Sequence, residues 1–225
     1  MHTTRTKAIV AISLILTISI ATFLVYTNIT LFHNNAPVYS SANLSKIACV
    51  GDSITQITSY VNTLQTLVGN SSVVGNFGVS GATVTLASVE PYLFRNESDA
   101  AKEFQPTTVV ILLGTNDARS DVFVYIDKFL EDYKIVISKY QMLETKPQIY
   151  LVLPPPVYEN NINISSSDLS EVIIPMIKQA ANDTGLPLID AFTPLLNHPE
   201  YFVDGVHPND EGARVIAEAI YQQIT

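Results

Sequence analysis

The 225-residue chain has a single cysteine, Cys49, so no internal disulfide framework holds it together. The position of Cys49 inside an apolar run makes it a small core hydrophobe rather than a reactive thiol. Basic residues are scarce as well. Twelve lysines and arginines stand against 21 aspartates and glutamates, a formal net charge of −9. Nowhere do they cluster into a patch that could track a phosphate backbone, which excludes nucleic acid as a partner. No group of cysteines and histidines has the spacing of metal ligands, so neither a metal nor a cofactor is called for. Internal repeats and the marks of a second domain are also missing. At this length, with 47% apolar residues, the chain can bury one good core.

Charge is absent altogether from Ala8 to Tyr26, an apolar run of 19 residues preceded by Arg5 and Lys7. That length suits a membrane-spanning helix better than the shorter apolar core of a cleaved signal. No small-x-small cleavage site follows directly; the nearest, Ser40-Ser41-Ala42, lies far downstream. No lysine or arginine follows the run until Lys46, so the N-terminus is expected in the cytoplasm and the remainder outside. Residues 1–26 are expected to form a membrane anchor or uncleaved signal, 27–45 a polar Asn- and Ser-rich tether, and 46–225 the folded domain. Cleavage of the run would make the protein secreted instead.

What is present is organised around Ile47-Ala48-Cys49-Val50-Gly51-Asp52-Ser53-Ile54-Thr55. Ile47 to Val50 reads as a strand buried on both faces, apolar without alternation. After Thr55, Tyr60, Val61, Leu64, Leu67 and Val68 recur at helical spacing. Ser53 therefore sits on a strand-to-helix turn, where a nucleophile can meet N–H donors. Further strands are predicted at Val73–Val79, Thr108–Leu113, Gln148–Leu153 and Leu186–Ile189. Helices are predicted over the apolar positions from Val122 to Tyr140, after Asp168 (with Glu171 as a capping box and Pro175 as a kink or late start), and at the C-terminus, where Val215, Ile216, Ala219, Ile220 and Ile224 share a face. Alternating strands and helices imply a parallel sheet covered on both sides.

Three further loops follow strands and carry polar groups suited to chemistry. They are Asn76-Phe77-Gly78-Val79-Ser80-Gly81-Ala82-Thr83, Gly114-Thr115-Asn116-Asp117, and Asp204-Gly205-Val206-His207-Pro208. Taken singly, Ser53 reads as a helix N-cap, Gly81 as a turn, Asn116 as a cap and Asp204 with His207 as a solvated loop.

In order, the four blocks resemble those of the GDSL or SGNH hydrolase family: Gly51-Asp52-Ser53-Ile54-Thr55, the loop centred on Gly81, Gly114-Thr115-Asn116-Asp117, and Asp204-x-x-His207-Pro208. The likeness covers residues 46–225. The Asn76–Thr83 loop, Leu153-Pro154-Pro155-Pro156 and Asp204–Asn209 further resemble the branch of sialate-type and other carbohydrate O-acetylesterases. One departure stands out. Gln56-Ile57-Thr58-Ser59-Tyr60 is shorter than the matching stretch of many relatives and lacks their glycine.

The resemblance implies a three-layer α/β/α flavodoxin-like fold with a five-stranded parallel sheet of order 2-1-3-4-5. Ser53, Gly81 and Asn116 would then stand at the carboxyl ends of adjacent strands, at the topological switch point. It also implies Ser53 as nucleophile, His207 as general base and Asp204 as the group that orients it. The oxyanion hole would be the N–H groups of Ser53 and Gly81 and the Asn116 amide. Asp52 and Asp117 read as loop hydrogen-bonding residues. The expected activity is hydrolysis of small O-acyl (acetyl) esters on a carbohydrate through an acyl-enzyme. A lipase, lysophospholipase or thioesterase using Phe77, Val79, Val157 and Tyr158 as an apolar groove stays open at this point, as do an acyltransferase and a non-catalytic glycan-binding module.

Overall fold

In the computed structural model, which describes residues 44–225, the apolar runs are five strands: β1 (Ser45–Gly51), β2 (Ser72–Gly78), β3 (Thr108–Leu112), β4 (Gln148–Leu153) and β5 (Leu188–Asp190). All pairings are parallel and the order is β2-β1-β3-β4-β5, as expected. The absence of apolar/polar alternation has its reason in the two faces. On β1, Ala48 and Val50 point into one core while Ile47 and Cys49 point into the other. On β3, Val109 and Ile111 oppose Val110 and Leu112 in the same way. A strand between two cores must be apolar at every position.

The longer α-helices among the described residues flank the sheet: α1 (Ser53–Ile57), α2 (Tyr60–Val68), α3 (Asn96–Glu103), α4 (Phe129–Gln141), α5 (Ile174–Thr184) and α6 (Asp210–Ile224). Tyr60 and Leu64 of α2 with Ala213, Ile216 and Ile220 of α6 bury one face. Phe129, Tyr133 and Ile137 of α4 with Ile177 and Ala180 of α5 bury the other. Cys49 is fully buried on the α2/α6 side, and burial pushes its thiol up to about 12.

Several boundaries differ from the sequence expectation. The helix predicted from Val122 is a 3₁₀ segment over Phe123–Lys128 and becomes α-helical only at Phe129. Val124 and Tyr125 are exposed there, so the apolar periodicity spans two pitches. Asp168 and Glu171 form no capping box. Ser165 is the cap instead, its Oγ accepting from the Asp168 N–H, and a π-helical turn at Leu169–Ile173 leads into α5. Pro175 then follows closely on that π-helical turn, so its missing N–H falls where the helix changes pitch. β5 begins at Leu188 rather than Leu186, because the Leu186 N–H still closes the end of α5 on the Ala181 carbonyl. Helix α3 carries no apolar stripe to announce it; only Ser98 and Ala101 are buried.

Leu44–Thr225 form one compact unit. The run Ala8–Tyr26 and the tether as far as Asn43 lie outside the described residues. Among the described residues, no helix is long and apolar enough to cross a membrane.

Candidate active site

The end of β1 turns directly into α1. Asp52 caps that helix, its Oδ1 accepting from the Ile54 N–H at 2.9 Å, which places Ser53 at the first helical position. Asp52 is fully buried, and burial pushes its carboxyl up to about 7 against that hydrogen bond. Ser53 is 9% exposed.

The partner of that hydroxyl arrives from 154 residues downstream. His207 Nε2 lies 2.8 Å from Ser53 Oγ, and His207 Nδ1 lies 2.7 Å from Asp204 Oδ2. The other carboxylate oxygen, Oδ1, accepts from the N–H groups of Val206 and His207 at 3.0 and 2.8 Å. One oxygen thus folds the loop while the other holds the imidazole. Burial works to raise the Asp204 carboxyl, but those N–H donors and the imidazole hold it below the usual carboxylate value.

The histidine loop is fixed on two sides. Behind it, Asn209 caps α6, accepting from Glu211 and Gly212 N–H and donating to the Glu200 carbonyl at 2.9 Å. Beside it, the Tyr158 N–H donates to the Gly205 carbonyl at 2.8 Å. Gly205 has φ +83°, and a Cβ there would lie 2.1 Å from the Glu159 carbonyl oxygen. The two loops touch backbone to backbone, which only glycine allows. The buried prolines Pro154, Pro155 and Pro156 carry the chain stiffly from β4 to Tyr158.

The remaining expected groups stand on adjoining loops that are tied together. The Val79 N–H donates to the Gly51 carbonyl at 3.0 Å, which docks the end of β2 on the end of β1. Gly81 follows at φ +79°, with nothing within 4 Å of where a Cβ would be. Asn116, 5% exposed, donates from Nδ2 to the Ala82 carbonyl at 3.1 Å. That bond consumes one of its two amide hydrogens and orients the other. The N–H groups of Ser53 and Gly81 make no hydrogen bond among the described residues. Free N–H donors and an oriented amide on three neighbouring loops are what a developing oxyanion requires.

Other residues hold this arrangement; Asp117 belongs to the third block, as a loop hydrogen-bonding residue, whereas no motif marks Asp132 or Gln56. Asp117 accepts from the N–H groups of Val84 and Thr85 and from the Thr85 hydroxyl, fixing the chain just past Gly81. Burial pushes Asp117 up to about 6 despite those donors. Asp132 on α4 accepts from the Leu86 N–H at 2.8 Å. Gln56 Oε1 accepts from both the N–H and the hydroxyl of Ser80, tying α1 to the Gly81 loop. The groove residues considered for a lipid are placed differently. Val79 and Val157 are buried in the core, and Phe77 packs on the Phe104 ring at 5.3 Å. His198 pairs with Glu200 and stacks on Tyr201, away from Ser53 Oγ.

Residues 49–215 match the model of the GDSL-like lipase/acylhydrolase family. The chain belongs to that family. A curated relative, the acetylxylan esterase of Xylanibacter ruminicola, is 31% identical over 201 residues, 78% of this chain. Those residues are 42% of the relative, so this chain spans less than half of its length. Among solved structures, the lipase/acylhydrolase from Enterococcus faecalis matches with a TM-score of 0.67 at 23% identity, over 80% of this chain and 95% of that one. A carbohydrate acetylesterase family member from Sinorhizobium meliloti matches with a TM-score of 0.62 at 19% identity, over 80% and 97%. These two likenesses are of fold.

Proposed function

We propose that the chain is a serine esterase that removes small O-acyl groups, acetyl above all, from carbohydrate through an acyl-enzyme. The observation that carries this reading is the unbroken relay from Asp204 through His207 to Ser53 Oγ. His207 Nε2 takes the hydroxyl proton as Ser53 Oγ attacks the ester carbonyl. Negative charge moves to the carbonyl oxygen, where the N–H groups of Ser53 and Gly81 and the Asn116 amide stabilise it. The imidazolium, steadied by Asp204, gives its proton to the leaving alcohol, and the acyl group stays on Oγ. Water, deprotonated by the same imidazole, then splits the acyl-enzyme and restores Ser53.

The acetyl and carbohydrate parts of the reading draw support from the likeness to the acetylxylan esterase. A short acyl chain is also supported by Val79 and Val157, whose burial removes the apolar groove a fatty chain would need. The test is a nitrophenyl ester series from acetate to octanoate together with acetate release from acetylated xylan, with Ser53→Ala as control. kcat/KM should peak at acetate or propionate and xylan should lose acetate. Activity climbing through octanoate with acetylated sugars inert refutes the reading. The uncharged run Ala8–Tyr26, with Arg5 and Lys7 before it, supports a hydrolase domain (46–225) held outside the cell by a membrane anchor (1–26) and tether (27–45). Protease added to intact cells should then release a fragment beginning within 27–45; a protein that washes free without detergent refutes the anchor.

A further inference from the structure

On the His207 side of Ser53 the surface sinks into a depression of about 560 Å³. Its floor includes the two-residue connection of α1 to α2, Thr58 and Ser59, and Ser59 donates to Asp210 of α6 at 2.7 Å. His207 lines it. In ester cleavage this imidazole hands a proton to the departing oxygen, so the alcohol half of the substrate occupies the space in front of it.

The chemistry of the lining is specific. Ile57 and Val203, 62% and 76% exposed, offer apolar surface. Gln56 and Asn62 offer amides. Because the Ser80 N–H and hydroxyl both claim Gln56 Oε1, the orientation of that amide is settled and Nε2 remains as a donor for a ligand. The Asn62 side chain makes no hydrogen bond among the described residues, which leaves it a donor and an acceptor to offer. Apart from the imidazole of His207, the titratable groups of the lining are two carboxyls, Asp204 and Asp210. Across Val203 a second depression adds Glu159, and no lysine or arginine lines either one.

We propose that this depression is the subsite for the alcohol half of the substrate, and that it takes an uncharged sugar unit and discriminates against one bearing a carboxylate. The proposal rests on the esterase reading above and narrows its substrate class. Amides meet sugar hydroxyls with donors and acceptors of equal strength, and the apolar rims meet the C–H faces of the ring. A carboxylate placed there would lie beside two like charges with no lysine or arginine to compensate. The overall charge of −9 repels an anionic polymer before contact as well.

Three acetyl esters offered to the 225-residue chain decide the matter: p-nitrophenyl acetate, an acetylated methyl xyloside and an acetylated methyl glucuronoside. At about 20 mM salt, kcat/KM for the neutral sugar should exceed that for the anionic one by about tenfold or more, and the gap should narrow toward about 0.5 M as the charges are screened. Asn62→Lys should raise the anionic-to-neutral ratio about tenfold. Gln56→Ala should lower the ratio of neutral sugar ester to nitrophenyl acetate about three- to tenfold, mainly through KM. Equal kcat/KM for the two sugars at every salt concentration overturns the proposal, as do ratios unmoved by both substitutions. No turnover of nitrophenyl acetate by the unaltered chain refutes the esterase reading instead.

Discussion

Replacing Gly205 by alanine tests whether the contact between the β4 loop and the histidine loop sets the catalytic geometry. An added Cβ would sit 2.1 Å from the Glu159 carbonyl oxygen and 3.0 Å from its carbon, whereas ordinary contact begins near 3.4 Å. Neither atom can yield by a side-chain rotation, since both are backbone. The loops must therefore part by about 1 Å, and His207, two residues on, must move with them. A misplacement of that size costs on the order of 10²-fold in rate when it falls on a general base. The positive φ of Gly205 adds about 1–2 kcal/mol of strain for alanine. For a domain of this size that corresponds to a drop in Tm of roughly 2–8 °C. Steady-state kinetics on nitrophenyl acetate at 25 °C should thus show kcat down about 10²-fold, KM little changed, and a folded protein by circular dichroism. If Gly205→Ala keeps kcat within about threefold of the parent, the clasp with Tyr158 and Glu159 does not position His207, and the reasoning fails.

Ser53→Ala and His207→Ala should each lower kcat by several orders of magnitude, with the double variant little worse than either, since the two act as one unit; additive losses contradict the relay. Asn116→Ala should lose roughly 10²–10³ in kcat with a smaller change in KM, and a loss confined to KM would remove the amide from the oxyanion hole. Asp52 and Asp117 are raised to about 7 and about 6 by burial, so the folded state binds their protons more tightly than the unfolded one. Their contribution to stability is complete below about pH 4 and lost as pH rises through their folded values, so Tm should be higher at pH 5 than at pH 8 and Asp52→Asn should flatten the difference; a Tm rising across that window refutes the assignment. Cys49, fully buried with its thiol pushed up to about 12, should resist a disulfide reagent in the native protein and react once denaturant is added, and rapid native labelling would place it elsewhere.

Much of the frame was legible because parallel strands buried on both faces must be apolar without interruption. β1, β3 and β4 stand out for that reason, and the carboxyl end of each strand then marks where a loop meets solvent. Ser53 and Asn116 could be found there because each follows its strand within a few residues. Edge strands were harder to bound. β5 is only three residues long, and the helix closure at Leu186 consumes a donor that the apolar run alone assigns to the sheet. Helix α3 has little to bury and so leaves no apolar period to read.

Within the candidate site the division is between the residues of the four blocks and the residues that fix them in place. Ser53, Asn116, Asp204 and His207 are polar residues in short blocks with fixed spacing, and spacing survives in a linear sequence. Gly205 against Glu159, Gln56 against Ser80, Asp117 against Thr85 and Asp132 against Leu86 join segments 24 to 46 residues apart, with no local pattern linking the members of each pair. The shortened stretch Gln56–Tyr60 is the instructive case. In the sequence it is a departure from the family pattern beside Ser53, with no chemistry of its own. Folded, Gln56 of that stretch meets Ser80 and Ser59 meets Asp210, and both line the depression beside His207. Such a departure can be read only from what its neighbours touch in the folded chain, and no motif records those contacts.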